Sequence, residues 1–127
     1  MQSFVRYRST VANARGLKVG VFALTNALVG EAKLSSDDLR WVRENNAWFE
    51  LAYTDPGVTA PGIFDRDVNP MTECWFKSSA SALLERVDGY LLILDKYGVP
   101  WERVETDDPG PVVYEDEVQV VVSINPG

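Results

Sequence analysis

The segment "SDDLRWVRENNAWFELAY" (residues 36–53) limits the possible folds more than any other part of the chain. Its apolar residues recur at helical spacing, and Ser35 just before it is a good N-cap, because a serine oxygen accepts from an amide that the first turn leaves unpaired. Asp37 and Asp38 fall in that first turn, where the helix dipole favours negative charge. Leu39, Val42, Phe49 and Tyr53 make one apolar stripe, and Trp41, Trp48 and Ala52 make a second beside it. Arg40, Arg43, Glu44 and Glu50 are left for water. A helix this broadly apolar needs cover on more than one side. A sheet can supply one side. A further helix, or a second copy of the chain, must supply the other.

The ends of the chain provide the sheet. "SFVRYRS" (Ser3–Ser9) alternates strictly, with Val5 and Tyr7 on one face and Arg6 and Arg8 on the other, which is the pattern of a half-buried strand. "WERVET", "PVVYE" and "EVQVVVSI" read as three strands near the C-terminus, the first two separated by the turn "DDPG". Between the ends, Val19–Gly30 predicts a short buried helix, although its β-branched residues leave a strand open. Thr54–Pro70, with three prolines and two glycines, predicts a long ordered loop. Asn69-Pro70 reads as the N-cap and first position of a third helix, whose apolar period runs from Trp75 and Phe76 to Tyr97, with Gly98 closing it and Asp88-Gly89 as a kink or break. The expected architecture is a single α+β domain. An antiparallel or mixed sheet, made of the N-terminal strand and a C-terminal three-stranded meander, is covered on one face by about three helices.

Composition enters where function is concerned. The chain has no histidine, which removes the Ser-His-Asp and Cys-His arrangements and the usual zinc sets. Its single cysteine cannot form an internal disulfide, as suits a reducing compartment. No basic-then-apolar leader opens the sequence, and no apolar run approaches the roughly 20 residues of a membrane helix, so a cytoplasmic protein without membrane contact is expected. A formal net charge of −7 argues against nucleic acid as a partner. The charge is uneven: residues 1–34 are basic and residues 95–127 strongly acidic. That predicts that the two ends meet, with Arg6 and Arg8 near Glu102, Glu115 or Glu117.

Several residue sets could carry chemistry. Glu115-Asp116-Glu117 reads first as the solvated tip of a hairpin. Yet "EDEVQVVV" also resembles the Glu-x-Glu entry to a strand in ADP-ribosyltransferases. That resemblance implies a nicotinamide dinucleotide site built from an early-strand arginine (Arg6 or Arg8), a central Ser-Thr-Ser and a late Glu-x-Glu (Glu115, Glu117). The middle element is not matched, because "KSSAS" (Lys77–Ser81) lies within the helical period of the third helix. Asp65 and Asp67 in "DRDVN" alternate like calcium ligands, but Pro70 stands where that loop needs glycine and Phe76 where it needs glutamate. Cys74 lacks a histidine to activate it. Trp41, Trp48 and Trp75 are candidates to bind a ligand or partner, and otherwise belong to the core.

Taken in order, "VRYRS", "NNAWFELAYTDP", "DRDVNP", "LDKYGVPWERV" and "PGPVVYEDEVQVVV" resemble small actinobacterial proteins of unknown function over most of the chain. The resemblance implies a stand-alone bacterial cytoplasmic protein and transfers no activity, cofactor or site residue. The sequence therefore predicts a non-catalytic module that binds a small molecule or a protein, needs no cofactor, and forms a homodimer through the second helix. A divergent ADP-ribosyltransferase-like enzyme is the alternative.

Overall fold

The computed structural model describes residues 2–124. The elements run β1 (Phe4–Ser9), α1 (Val21–Gly30), α2 (Ser36–Ala52), the single turn α3 (Pro56–Thr59), β2 (Thr72–Lys77), α4 (Ser81–Lys96), β3 (Trp101–Thr106), β4 (Val112–Glu115) and β5 (Gln119–Ser123). The strands form one antiparallel sheet in the order β3-β1-β2-β5-β4. The class is α+β, with the N-terminal strand joined to later ones and helices packed on the sheet, as the alternation and helical periods predict. No helix among the described residues is long and apolar enough to cross a membrane.

Two parts of the expected layout differ. The third helix does not begin at Asn69-Pro70. Residues Thr72–Lys77 form strand β2, and the helix starts at Ser81. "TECWFK" has period two: Trp75 joins Phe4, Val120 and Val122 in a small cluster on one sheet face, while Phe76 packs into the main core on the other. A strand buries both aromatics on opposite faces, which a single helix stripe cannot do. Asn69 is therefore no helix cap; its side-chain amide donates to the Ile63 carbonyl at 2.8 Å and closes the preceding loop.

The three C-terminal strands are also not a contiguous meander. β3 lies at one edge and the β4–β5 pair at the other, with β1 and β2 between them. Strands with apolar groups on both faces take the centre, and β3, carrying Glu102, Arg103 and Glu105, takes an edge where charge blocks further pairing. The expected meeting of the chain's ends holds at β1–β3 for Arg8, whereas Arg6 faces Glu73 of β2 instead of a late acid. Arg8 stands opposite Glu102 in register and donates to it at 3.0 Å, while Lys18 adds a second contact at 3.5 Å.

Helix α2 begins as its sequence dictates, with the Ser35 hydroxyl accepting from the Asp38 amide. The Tyr97 hydroxyl donates to Asp38, as does Lys96, so the start of α2 is tied to the end of α4. Farther along, Trp41 lies against Gly89 and Tyr90, and Arg86 sits 4.3 Å from the centre of the Trp48 ring. The two helices are thus antiparallel neighbours. The second apolar stripe of α2, which a dimer was expected to cover, is largely covered by α4.

Gly89 explains how that packing is possible. A Cβ added there would collide with Cζ2 of Trp41, so only glycine lets the indole seat against the helix. Helix α4 runs unbroken through this residue. The glycine is a socket for Trp41, not the break expected from the sequence.

Candidate functional site

The site begins with an interruption in the sheet. β1 pairs with β2 only at Phe4–Lys77 and Val5–Phe76. Beyond Val5 the two strands diverge, and the segment before α1 enters between them: Arg8 bridges Gly20, and the Ser9 amide donates to the Val19 carbonyl at 2.8 Å. The Arg6 guanidinium spans the fork, donating to the Cys74 carbonyl at 2.8 Å on one arm and to the Lys18 carbonyl at 3.1 Å on the other. An arginine can do this because its planar head holds several donors at fixed angles. Glu73 lies 3.7 Å from Nε and opposes part of the burial that lowers the arginine's pKa. Among the described residues, Nε itself has no hydrogen-bond partner.

The fork leaves space on the helix side of the sheet. A cavity of about 160 Å³ lies between Val5, Tyr7, Val21, Phe22, Tyr53 and Phe76. A more open cleft of about 460 Å³ adjoins it, walled by Phe22, Phe49, Tyr53 and Phe64, with Asn26, Asn46, Glu50 and Asp55 as its polar groups. Phe22, Tyr53 and Cys74 line both. The aromatic walls hold each other edge to face: Phe22–Phe49 at 4.9 Å, Phe22–Tyr90 at 5.2 Å and Tyr53–Phe76 at 5.7 Å between ring centres. A polar chain enters from the helices, with the Tyr90 hydroxyl donating to Asn46 at 2.7 Å and Asn46 donating to Asn26 at 3.0 Å. The loop after α2 is anchored by Gln119, whose amide donates to the Thr54 carbonyl, and by Asp55, which caps α3 through the Gly57 amide.

The phenol and the thiol of the cleft hold their protons. Burial pushes the Tyr53 phenol up to about 12, helped by the negative charge of Asp55 and Asp116. The Cys74 residue is solvent-exposed, yet protein crowds its sulfur. These facts agree for a thiol set in a concavity: water reaches it, but the surrounding atoms disfavour its anion. That desolvation raises the thiol, and the Arg6 charge only partly offsets it. Neither group is a ready nucleophile at neutral pH.

The other candidates lie elsewhere. Glu115 pairs with Lys77 at 2.7 Å. Asp116 accepts from the amides of Val118 and Gln119, the Gln119 side chain and the Tyr114 hydroxyl; burial alone would raise its pKa, and these bonds outweigh that and hold it low. It is the staple of the β4–β5 turn, and Glu117 is exposed beside it. β2 and β5 separate Arg6 and Arg8 on β1 from Glu115 on β4, a distance of roughly 14 Å at strand spacing. "KSSAS" lies outside any helix until its last residue: Lys77 ends β2 and Ser81 opens α4.

Asp65 and Asp67 are exposed; Asp65 accepts from the Asp67 amide, and no cluster of three acidic or cysteine side chains able to hold a metal occurs among the described residues. Trp41 and Trp48 lie between α2 and α4, whereas the Trp75 side chain joins the cluster on the sheet face away from them, so the three indoles do not converge. The sequence reading missed the cleft. Its only advance signals were the proline-rich loop and the apolar stripe of α2.

Comparison with protein-family models, with curated proteins and with solved structures finds no match to this chain.

Proposed function

We propose that this chain is a non-catalytic cytoplasmic module that binds a small molecule in the cleft between α1, α2, the α3 loop and β2. One observation carries the reading: an aromatic-walled cleft, with a few amide and carboxylate groups at its edge, opens where two central strands part. Sites for small ligands are commonly concave, mostly apolar and sparing in polar groups. The protonated thiol and phenol favour binding over nucleophilic chemistry.

The test is a set of ¹⁵N–¹H correlation spectra of the full chain titrated with small aromatic fragments and, separately, with a nicotinamide dinucleotide. Fragment-induced shifts should gather at Phe22, Asn46, Tyr53 and Cys74. Absence of any shift there would remove the cleft reading. Shifts from the dinucleotide gathering at Arg8 and Glu115 would favour the ADP-ribosyltransferase-like alternative instead. A homodimer through α2 would rest on Leu51, which is 90% exposed, and its neighbour Ala52. Light scattering on the wild type and on Leu51→Asp tests it, and a monomeric wild type ends it.

A further inference from the structure

Resting on the cleft reading above, we infer that the ligand class is a small organic cation: an aromatic or alkyl amine held by its charge at Glu50 and Asp55 and by its apolar body between Phe22, Phe49, Tyr53 and Phe64.

Charge favours this class over the others. The open cleft is lined by two carboxylates and by no arginine or lysine. Asp55 and Asp116 both stabilise the neutral form of the Tyr53 phenol, so negative potential reaches the aromatic wall. An anion would meet that potential without a partner, whereas an ammonium would be attracted by the carboxylates and by the ring faces together. The nearest cation is Arg6 at the deep end. It lines the deeper cavity and not the open cleft, two of its donors go to the Cys74 and Lys18 carbonyls, and Glu73 beside it opposes its charge.

The remaining polar groups suit an amine as well. Asn46 accepts from Tyr90 and donates to Asn26, which fixes its amide, while the Glu50 carboxylate, an acceptor, makes no hydrogen bond within the described residues. Among those residues the Tyr53 hydroxyl likewise donates to no protein group, and its oxygen can accept from an ammonium. A neutral ligand would use the aromatic walls and could donate a hydrogen bond to a carboxylate, but would gain nothing from the carboxylates' charge.

The experiment compares benzylamine, benzyl alcohol and benzoate, three probes of one shape and different charge, by the same correlation spectra on the full chain. Benzylamine should bind about tenfold more tightly than benzyl alcohol, and benzoate the most weakly. Glu50→Gln with Asp55→Asn should remove most of that preference and leave benzyl alcohol unchanged; asparagine still caps α3, so the fold is kept. The exposed pair Glu44→Gln with Glu85→Gln, which lies outside the cleft, controls for the chain's overall negative charge and should change nothing. Equal binding of benzylamine and benzyl alcohol at the cleft overturns the cation inference while the cleft stands. Equal loss in the control pair also overturns it, because bulk charge would then be the cause. No cleft shifts with any probe would remove the binding site itself.

Discussion

Two aromatic regions of this molecule lie on either side of Tyr90 and are built differently. On one side Trp41 is pressed onto Gly89 so closely that no Cβ fits beneath it. On the other, Phe22, Phe49 and Tyr53 also meet edge to face but surround open volume. The residue types are similar and the environment is not. The α2–α4 contact joins two regular antiparallel helices, and at Gly89 the Trp41 indole seats with no room for a Cβ. The cleft lies where a helix, a loop and two diverging strands meet, and such elements cannot all be brought into close contact. Packing of the first kind supplies stability, and the hollow of the second kind is where a ligand fits.

Substitutions should separate the two regions. The largest effect is expected at the tight contact. Gly89→Ala would force Trp41 away, a strain of about 3 kcal/mol, of which roughly 1 kcal/mol is returned by alanine's better helix propensity. A net loss of about 2 kcal/mol in urea denaturation is expected, and Trp41→Leu in the same chain should recover part of it. An unchanged midpoint for Gly89→Ala would mean that the indole does not seat on α4.

The fork comes next. Arg6→Met leaves the Cys74 and Lys18 carbonyls without their donor, at a cost of about 1–2 kcal/mol. Loss should be accompanied by faster amide exchange at Gly20 and Phe76, which flank the gap. A variant as stable as wild type would show that the divergence of β1 and β2 does not depend on the guanidinium.

Cys74→Ala on the cleft wall should shift stability by no more than about 0.5 kcal/mol, because the side chain borders open space. A loss of several times that size would make the cleft part of the packed core and erase the contrast between the regions.

A further contrast concerns alkaline pH. The Tyr53 phenol is raised from 10.0 to about 12 in the folded chain, so its contribution is complete below pH 10 and is lost as pH rises from there through 12. Tyr53→Phe should flatten that part of the stability curve relative to wild type. Burial also raises Tyr90, so some alkaline loss should persist in the variant.

Much of the fold can be read from local patterns. Ser35 and the two aspartates fix the start of α2, because a cap acts within one turn. Gly98, with φ of +72°, and the Val99 amide bonded to the Leu94 carbonyl close α4 at the place its sequence marks. Alternation in β1 and the valine run of β5 identify strands, the latter buried on both faces. The sequence also contains the charges that draw β1 to β3.

Only the tertiary structure decided between periods at "TECWFK", where adjacent Trp75 and Phe76 suit a helix stripe or a strand equally until both sheet faces have partners. The same holds for Gly89, whose meaning depends on an indole from another helix, and for Asp116, whose carboxylate is consumed by the turn it closes. The cleft is furthest from local reading. Its walls, with those of the cavity behind it, come from residues 5 to 76, and its existence depends on two strands parting around Arg6. Caps, periods and alternation act over a few residues and survive in the sequence as patterns. A cavity is set by where distant elements fail to meet, and that has no local pattern.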